Sequence, residues 1–304
     1  MPPRMMGKDG DVRMSYLVDN AIIMAAGVSS RFAPLSYERP KALIDVKGEV
    51  LIERQIRQLK EAGIEEIIVV VGYMKEKFAY LKEKMGVILV ENEEYLVRNN
   101  HSSIYAVRKY LGNSYICSAD NYFTRNPFRP EVEDAYYAAV YAEGETQEWC
   151  METDAEGYVS RVRIGGADAW YMLGHVFWTR EFSAKFLEIL CDVYEAPETA
   201  GMLWEGIYRE HLDVLKLRIR KYDEDFIFEF DSLDELREFD HSYIEDTRSS
   251  ILKQIAGKLN CSEAALTNIS TIKGRDQTEA EGFRFDYAGT GYEYYYKDRT
   301  WRKL

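Results

Sequence analysis

The sequence is poor in the features that mark several classes of protein. It has only four cysteines in 304 residues, Cys117, Cys150, Cys191 and Cys261, and their scatter excludes the paired spacings of a disulfide framework or a zinc site. Its net charge of −13 opposes binding to nucleic acid or to an anionic membrane. No apolar run approaches the ~20 residues of a membrane span, and the first residues lack a signal-peptide core. We therefore expect a cytoplasmic protein without nucleic-acid or membrane partners.

Short apolar runs alternate with amphipathic stretches from Asn20 to Phe123. In one of these stretches Ile52, Ile56 and Leu59 line a single helical face. Strands alternating with helices are typical of a doubly wound sheet, which binds ligands at the carboxyl ends of its strands. After residue 130 the pattern changes to mixed strands and two further helices. The sequence therefore predicts an α/β fold with a mostly parallel mixed sheet and a small α+β C-terminal appendage.

These patterns divide the chain into three parts. Residues 1–19 are expected to form a flexible leader, and residues 20–241 the main α/β domain. Residues 242–304 are expected to form a separate unit made of a helix and a hairpin, because the sequence "SSILKQIAGKLN" is followed by "FRFDYAGTGYEYYYK". Packing or formation of a homodimer is a role left open for this last part.

The stretch "MAAGVSSRFAPLSYERPKAL", residues 24–43, has the composition of a loop that binds phosphate but only one glycine, Gly27. A dinucleotide fingerprint would need further glycines, and no Gly-Lys-Ser/Thr follows, so neither common phosphate motif fits. A buried strand running into Ala25, Ala26 and Gly27 presents backbone N–H groups to an anion. Arg31 and Lys41 add two cations nearby. We therefore expect a pocket for a polyphosphate.

Several motifs together resemble a known family. They are "AIIMAAGVSSRFAPLSYERPKAL" from residue 21, "VGY" at 71–73, "NNHSSIY" at 99–105, "SADNYF" at 118–123, "EWC" at 148–150 and "FEFDS" at 228–232. This set is similar to that of the nucleotidyltransferases, and most similar to the bacterial CTP:phosphocholine cytidylyltransferases, over about residues 20–240. Ser29 stands where the family usually has glycine. The resemblance implies a Rossmann-like nucleotidyltransferase fold.

The resemblance implies roles for four charged residues. Asp120 and Asp231 occupy the positions of the carboxylates that hold Mg²⁺ in the family, and Mg²⁺ commonly takes one or two carboxylates together with phosphates and water. Arg31 and Lys41 are expected to be catalytic by neutralising charge on the triphosphate, and Asp120 is expected to be catalytic as a ligand of the metal. No general base is required, because a phosphomonoester is itself a nucleophile.

Both carboxylates also have structural interpretations. Asp120 follows a predicted strand and would suit an Asx turn. Asp231 precedes Ser232 and Glu235, which have the spacing of a capping box, so it could simply favour the start of a helix.

The remaining site residues follow from the same resemblance. Backbone and amide groups at Gly72, Tyr73, Asn100 and Ser103 match the region that surrounds the pyrimidine and ribose. The acceptor pocket is expected to be aromatic, because a quaternary ammonium is attracted to the faces of aromatic rings. Its expected residues are Trp149, Trp204, Tyr122 and Glu205. For the other aromatic side chains a place in the core is the simpler interpretation.

The resemblance therefore implies an Mg²⁺-dependent transfer of CMP from CTP to phosphocholine. One alternative is the same reaction on 2-aminoethylphosphonate, phosphoethanolamine or a sugar phosphate. Another is a nucleotide-binding module without catalytic activity.

Residues 242–304 resemble a different family, the choline kinase-like proteins, in their opening helix and first strands. The turn that usually contains Gly-x-Thr-Asn is "GRDQTEAEG" here, and no catalytic loop follows. We therefore expect a truncated remnant without kinase activity.

Overall fold

The structure is a computed structural model that describes residues 4–6, 13–274 and 279–304. Residues 1–3 and 7–12 of the predicted leader lie outside the described residues, as do residues 275–278 of the C-terminal part. The described part of the leader includes Arg13–Leu17, which forms a strand. No helix among the described residues has the length and apolar character needed to span a membrane.

The described residues form the following strands and helices. The strands are β1 (Arg4–Met6), β2 (Arg13–Leu17), β3 (Asn20–Ala25), β4 (Asp45–Val46), β5 (Glu49–Val50), β6 (Ile67–Val71), β7 (Ile88–Glu91), β8 (Ser114–Ser118), β9 (Asn121–Phe123), β10 (Glu131–Val132), β11 (Tyr136–Thr153), β12 (Val159–Trp178), β13 (Arg218–Tyr222), β14 (Ile227–Glu229), β15 (Thr267–Lys273), β16 (Ala280–Tyr287), β17 (Thr290–Tyr295) and β18 (Thr300–Lys303). The helices are α1 (Leu35–Glu38), α2 (Leu51–Glu61), α3 (Tyr80–Met85), α4 (His101–Ala106), α5 (Arg180–Val193), α6 (Trp204–Arg209), α7 (Leu233–Phe239), α8 (Ser242–Glu245) and α9 (Ser250–Leu259).

The chain divides into two compact units. Unit 1 contains Met1–Gly27 and Glu53–Phe228, and unit 2 contains Val28–Ile52 and Glu229–Leu304. Unit 2 therefore combines most of the predicted phosphate loop with the C-terminal residues. The sequence predicted domains at 20–241 and 242–304 from its motifs, whereas these two units are defined by compactness. The predicted domain boundaries therefore stay predictions.

Unit 1 is built on a seven-stranded sheet with the order β13-β11-β12-β8-β3-β6-β7. β3 pairs in parallel with both β6 and β8, β6 with β7, and β11 with β13, whereas β12 is antiparallel to β8 and β11. This confirms the predicted mostly parallel mixed sheet. The carboxyl ends of β3, β6 and β8 come to the same edge because the three strands run in one direction.

The central strands form where the sequence is continuously apolar. Every residue of β6 is buried, as expected for a parallel strand covered on both faces. α2 follows the predicted apolar stripe, with Ile52, Ile56 and Leu59 fully buried. Gly63, two residues beyond the end of α2, has a φ of 80°, which is the left-handed conformation that glycine adopts without steric cost.

Unit 2 contains a four-stranded antiparallel sheet in the order β15-β16-β17-β18, together with α7, α8 and α9. The hairpin of β16 and β17 was predicted from the sequence and is confirmed, with Phe283 and Phe285 fully buried. At the start of α7 the Ser232 hydroxyl accepts a hydrogen bond from the backbone N–H of Glu235, 3.2 Å away. The N-cap half of the predicted capping box is therefore present, whereas the Glu235 carboxylate accepts a hydrogen bond of 2.8 Å from the backbone N–H of Asp231, one residue before the N-cap.

His175, on β12, is enclosed in the core of unit 1. It is 1% exposed, its Nε2 atom shares a hydrogen bond of 2.9 Å with the Tyr136 hydroxyl, and rings of Tyr115, Phe123 and Phe128 lie around it. Burial, and to a lesser degree the nearby Arg220 cation, lowers the pKa of His175 from 6.5 to about 3. The folded protein therefore keeps this ring neutral.

This burial predicts a loss of stability in mild acid. Below a pH of about 6.5 the unfolded chain binds a proton at His175 that the folded chain does not, so the unfolding free energy falls by ~1.4 kcal/mol per pH unit. Between pH 7.5 and pH 5.0 we expect this group to remove roughly 2 kcal/mol. Urea unfolding of the wild type and of His175→Phe at both pH values measures the difference. The control variant is His241→Phe, which changes an exposed histidine. The prediction is wrong if the stability lost between pH 7.5 and pH 5.0 is the same in His175→Phe as in the wild type and in His241→Phe.

Candidate active site

The ends of β3 and β6 meet at the predicted nucleotide residues of unit 1. The carbonyl of Ala26, just beyond β3, accepts a hydrogen bond of 3.0 Å from the backbone N–H of Tyr73. A Cβ atom at Gly72 would lie 2.8 Å from the ring of Tyr95 and 2.9 Å from the Ala26 oxygen, so only glycine fits there. Ala25 and Ala26 are buried, and Gly27 is exposed. The structure therefore brings Ala25–Gly27 together with Gly72 and Tyr73.

Asp120 lies in the two-residue turn between β8 and β9, beside the same edge of the sheet. The backbone N–H of Ala119 donates to the carbonyl of Met24, 3.2 Å away, which ties this turn to the end of β3. The side chain of Asp120 is half-buried. It therefore lies at the carboxyl end of β8, where the sequence placed it.

The turn that carries Asp120 is held by a residue that sequence reasoning missed. Gln55, on α2, is fully buried, and its Nε2 atom donates to the carbonyls of Ser118 at 2.8 Å and Asn121 at 2.9 Å. These carbonyls flank Asp120 on both sides. A signal was available in the sequence, because Gln55 is a polar residue three positions after Ile52 on the apolar side of the helix.

Ser103 is held by a second buried amide. The Nδ2 atom of Asn92 donates to the hydroxyls of Ser102 at 2.8 Å and Ser103 at 3.1 Å, and its backbone N–H donates to the carbonyl of Val71, at the end of β6. Asn92 therefore links α4 to the strand that precedes Gly72. Hydrophobic periodicity does not single out this residue, because it follows β7 in an irregular turn.

Asn100 joins the predicted nucleotide and acceptor residues. Its Nδ2 atom donates to Glu205 Oε2 at 3.1 Å, and its Oδ1 atom accepts a hydrogen bond of 2.7 Å from the backbone N–H of Trp204. The Tyr137 hydroxyl donates to the other oxygen of Glu205 at 3.1 Å. Asn100 therefore bonds the first backbone N–H of α6, and residues 200–203 lie outside that helix.

Glu205 has the electrostatics of a binding carboxylate. Burial raises its pKa, and the hydrogen bonds from Asn100 and Tyr137 act in the opposite direction because they favour the charged form. A positively charged group brought to this carboxylate would compensate for the cost of its burial.

The two tryptophans predicted for the acceptor pocket have different surroundings. The indole of Trp204 is 1% exposed, stacks on Tyr137 with ring centres 5.6 Å apart, and packs edge-to-face on Trp178. The ring of Trp149 is partly buried, with the guanidinium of Arg209 5.3 Å from its centre. Trp204 therefore belongs to the core of unit 1, whereas Trp149 already takes part in a cation–π contact.

Tyr122, the third aromatic residue of the predicted pocket, also faces a cation. The guanidinium of Arg54 lies 4.3 Å from the centre of its ring and donates from Nε to the carbonyl of Phe123, 2.9 Å away. Tyr122 is 9% exposed. Arg54 therefore fixes this ring as well as the backbone that follows it.

In unit 2, three predicted charged residues come together. Asp231 forms an ion pair with Arg31, in which its Oδ2 atom lies 2.6 Å from Arg31 Nη1. Its Oδ1 atom lies 3.6 Å from Lys41 Nζ. The Arg31 side chain is 68% exposed, whereas that of Lys41 is 5% exposed. The Asp231 carboxylate thus faces two cations, beyond any role at the start of α7.

Ser29, where the resembled family usually has glycine, has φ of 51° and ψ of 45°. This is the left-handed conformation that glycine adopts without strain, and in a serine it costs about 1 kcal/mol or more. The replacement therefore keeps a backbone conformation that glycine would favour.

The carboxylates fit Mg²⁺ better than a metal held entirely by protein. Among the residues that the structure describes, there is no group of three or more His, Cys, Asp or Glu side chains that could share an ion. Mg²⁺ usually needs only one or two carboxylates, since substrate phosphates and water supply its other ligands. Asp120 and Asp231 are both accessible to solvent in part, as such ligands must be.

Comparisons with known proteins agree with this geometry. Residues 21–151 match the model of the MobA-like NTP transferase domain. The solved structure of CTP:phosphocholine cytidylyltransferase from Streptococcus pneumoniae is 36% identical, with a TM-score of 0.71, over 75% of this chain and 99% of that one. The sheet and its glycine-bearing loop are therefore those of a nucleotidyltransferase.

Curated relatives define the family more narrowly. The chain is 39% identical to the 2-aminoethylphosphonate cytidylyltransferase of Lancefieldella rimae over 234 residues. The match covers 76% of this chain and 95% of the relative. The chain is 36% identical over 220 residues to the choline-phosphate cytidylyltransferase of Streptococcus pneumoniae, covering 72% and 96%. The chain belongs to this family of bacterial cytidylyltransferases.

Proposed function

We propose that the protein transfers CMP from CTP to phosphocholine and releases pyrophosphate, in a reaction that requires Mg²⁺. The observation that carries the proposal is the match to the choline-phosphate cytidylyltransferase of Streptococcus pneumoniae over 96% of its length. The local geometry supports it, because Asp120 and the backbone of Ala25–Gly27 lie at neighbouring strand ends in the way that a phosphate site requires.

The reaction requires positioning and charge neutralisation more than covalent help from the protein. The phosphate of the acceptor is largely a dianion at neutral pH and attacks the α-phosphorus of CTP directly. Arg31 and Lys41 neutralise negative charge on the triphosphate, and Asp120 and Asp231 are the proposed carboxylate ligands of the metal. Mg²⁺, when bound, withdraws charge from the phosphates and makes pyrophosphate a better leaving group. Backbone at Gly72 and Tyr73 and the amide of Asn100 are proposed to orient the nucleotide.

Glu205 is the proposed partner of the positive charge on the acceptor. Its carboxylate is fixed by Asn100 and Tyr137, and its raised pKa reflects a burial that a cation would compensate. Both a trimethylammonium and a primary ammonium would benefit from it. Trp149 is the proposed aromatic partner for a cation–π contact, because its ring is only partly buried, whereas the Trp204 ring is buried in the core.

A second acceptor, 2-aminoethylphosphonate, is favoured by specific observations. A relative named for that substrate is 39% identical over 95% of its length. A primary ammonium can donate hydrogen bonds to a carboxylate such as Glu205, whereas a quaternary ammonium cannot. The transferase chemistry is the same for both acceptors.

Phosphorus NMR of a mixture of CTP, phosphocholine and Mg²⁺ tests the proposed reaction. We expect pyrophosphate and a new diphosphate diester to appear in equal amounts, and the reaction to stop when EDTA removes the metal. CTP that binds but is never consumed, with any of the proposed acceptors, would instead identify a nucleotide-binding module.

A further inference from the structure

The C-terminal residues 242–304, called the tail below, are not accounted for by the proposed reaction. The relative from Lancefieldella rimae is matched over 95% of its length by 76% of this chain. The choline-phosphate cytidylyltransferase of Streptococcus pneumoniae is matched over 96% of its length by 72% of this chain. The tail lies beyond the last motif of the resemblance, which ends at Ser232. It is therefore an addition to the part of the chain that carries the family motifs.

Within unit 2 the tail contacts the backbone of the phosphate loop directly. The hydroxyl of Thr271, on β15, donates a hydrogen bond of 2.6 Å to the carbonyl of Ser30. Ser30 follows Ser29, whose left-handed backbone is strained, and precedes Arg31, whose guanidinium pairs with Asp231. This hydrogen bond therefore fixes the backbone of Ser30, the residue directly before the Arg31 cation.

The helix that follows in unit 2 is fastened to the tail as well. The carboxylate of Glu38, at the end of α1, accepts hydrogen bonds from the backbone N–H groups of Ser250 at 2.9 Å and Ile251 at 3.3 Å. The first N–H groups of a helix have no partner within the helix, and negative charge is favoured at its N-terminus. Glu38 supplies both for α9. The ring of Tyr37 stacks on that of Tyr296, with centres 3.7 Å apart and planes 3° from parallel.

A third attachment lies further along the same stretch. The hydroxyl of Tyr243 donates to the carbonyl of Asp45 at 2.5 Å, and Arg248 donates to the same carbonyl at 3.1 Å. The residues from Ser30 to Asp45, which include both Arg31 and Lys41, are thus bonded to the tail at their start, middle and end. The hydrogen bonds named here join a side chain on one partner to the backbone of the other, which fixes the path of the chain.

We propose that the tail is an intramolecular support that positions the phosphate loop, and that Thr271 is a positioning residue for Arg31. The proposal rests on the proposed function, since it assigns the triphosphate of CTP to that loop. A cation fixed before its ligand arrives binds without the cost of ordering its backbone.

Thr271→Val removes the hydroxyl and keeps the shape of the side chain. We expect KM for CTP to rise about fivefold, the scale of one net hydrogen bond, with KM for the acceptor unchanged. Thr271→Ser should restore the wild-type value. Thr267→Val is the matched control, because it makes the same change at an exposed position on the same strand.

Hydrogen exchange supplies a readout that does not depend on turnover. Amides of residues 28–33 should exchange about fivefold faster in Thr271→Val than in Thr267→Val. If the wild type consumes no CTP, the proposed function fails while this measurement still tests the support. Equal exchange and equal KM for CTP in Thr271→Val and Thr267→Val would overturn the proposal, even if Thr271→Val had a lower Tm.

Discussion

Asp120→Asn is expected to lower kcat for pyrophosphate release by about 100-fold or more. The substitution preserves shape but removes the negative charge of a half-buried carboxylate at the end of β8. An amide oxygen is a weaker ligand for Mg²⁺ than a carboxylate, so the reaction should also need more metal. A continuous pyrophosphate assay at varied Mg²⁺ concentration measures both effects.

The matched control for Asp120 is Asp192→Asn, at an exposed position on α5. Both variants should unfold at wild-type temperatures, because Gln55 holds the backbone carbonyls of Ser118 and Asn121 on either side of Asp120. Wild-type kcat in Asp120→Asn would contradict the metal role of this residue, whatever the acceptor.

Lys41→Met is expected to lower kcat/KM for CTP by about 100-fold. Methionine keeps most of the aliphatic stem of a side chain that is 5% exposed, so the main loss is the ammonium. Asp231 would then face Arg31 alone, and a triphosphate would lose one of its two proposed cations. Steady-state rates with CTP varied at saturating acceptor measure the change.

Lys82→Met, at an exposed position on α3, controls for the loss of a positive charge from a protein that is already strongly acidic. It should leave kcat/KM for CTP unchanged. If Lys41→Met changed KM for the acceptor and left the CTP parameters alone, Lys41 would not be a triphosphate ligand.

The central strands could be predicted because their signals are local. The run that forms β6 is apolar at every position, and α2 carries its stripe at helical spacing, so neither depends on distant residues. β11 and β12 were less predictable. They are 18 and 20 residues long, whereas the sequence indicated only mixed strands after residue 130. Their register shifts, with Gly144 and Gly165 at positive φ, break the alternation on which such predictions depend.

The candidate site could be predicted residue by residue but not in its contacts. Asp120 and Gly72 follow strands, and a position after a parallel strand is a reliable expectation for a ligand-binding residue. The bonds that support them come from Gln55 and Asn92, whose partners lie 63 and 10 residues away along the chain. No short-range pattern records such a partner.

The aromatic residues show the same division. Composition predicted that most of them would form the core, and Trp178 and Phe177 do so. The resemblance predicted Trp204 for the acceptor pocket, but its ring is 1% exposed and only its backbone N–H meets Asn100. Its place in the pocket stays a prediction, and Glu205, the next residue in the chain, is the stronger candidate for contact with the acceptor.

The most direct test of the proposed function is a competition between acceptors. The protein is incubated with CTP, Mg²⁺ and equal concentrations of phosphocholine, 2-aminoethylphosphonate, phosphoethanolamine and glucose 1-phosphate, and the products are quantified by mass spectrometry. We expect CDP-choline to dominate the early products, with the 2-aminoethylphosphonate product second and no nucleotide sugar. Formation of a CDP-sugar in preference to both ammonium-bearing products would contradict the account.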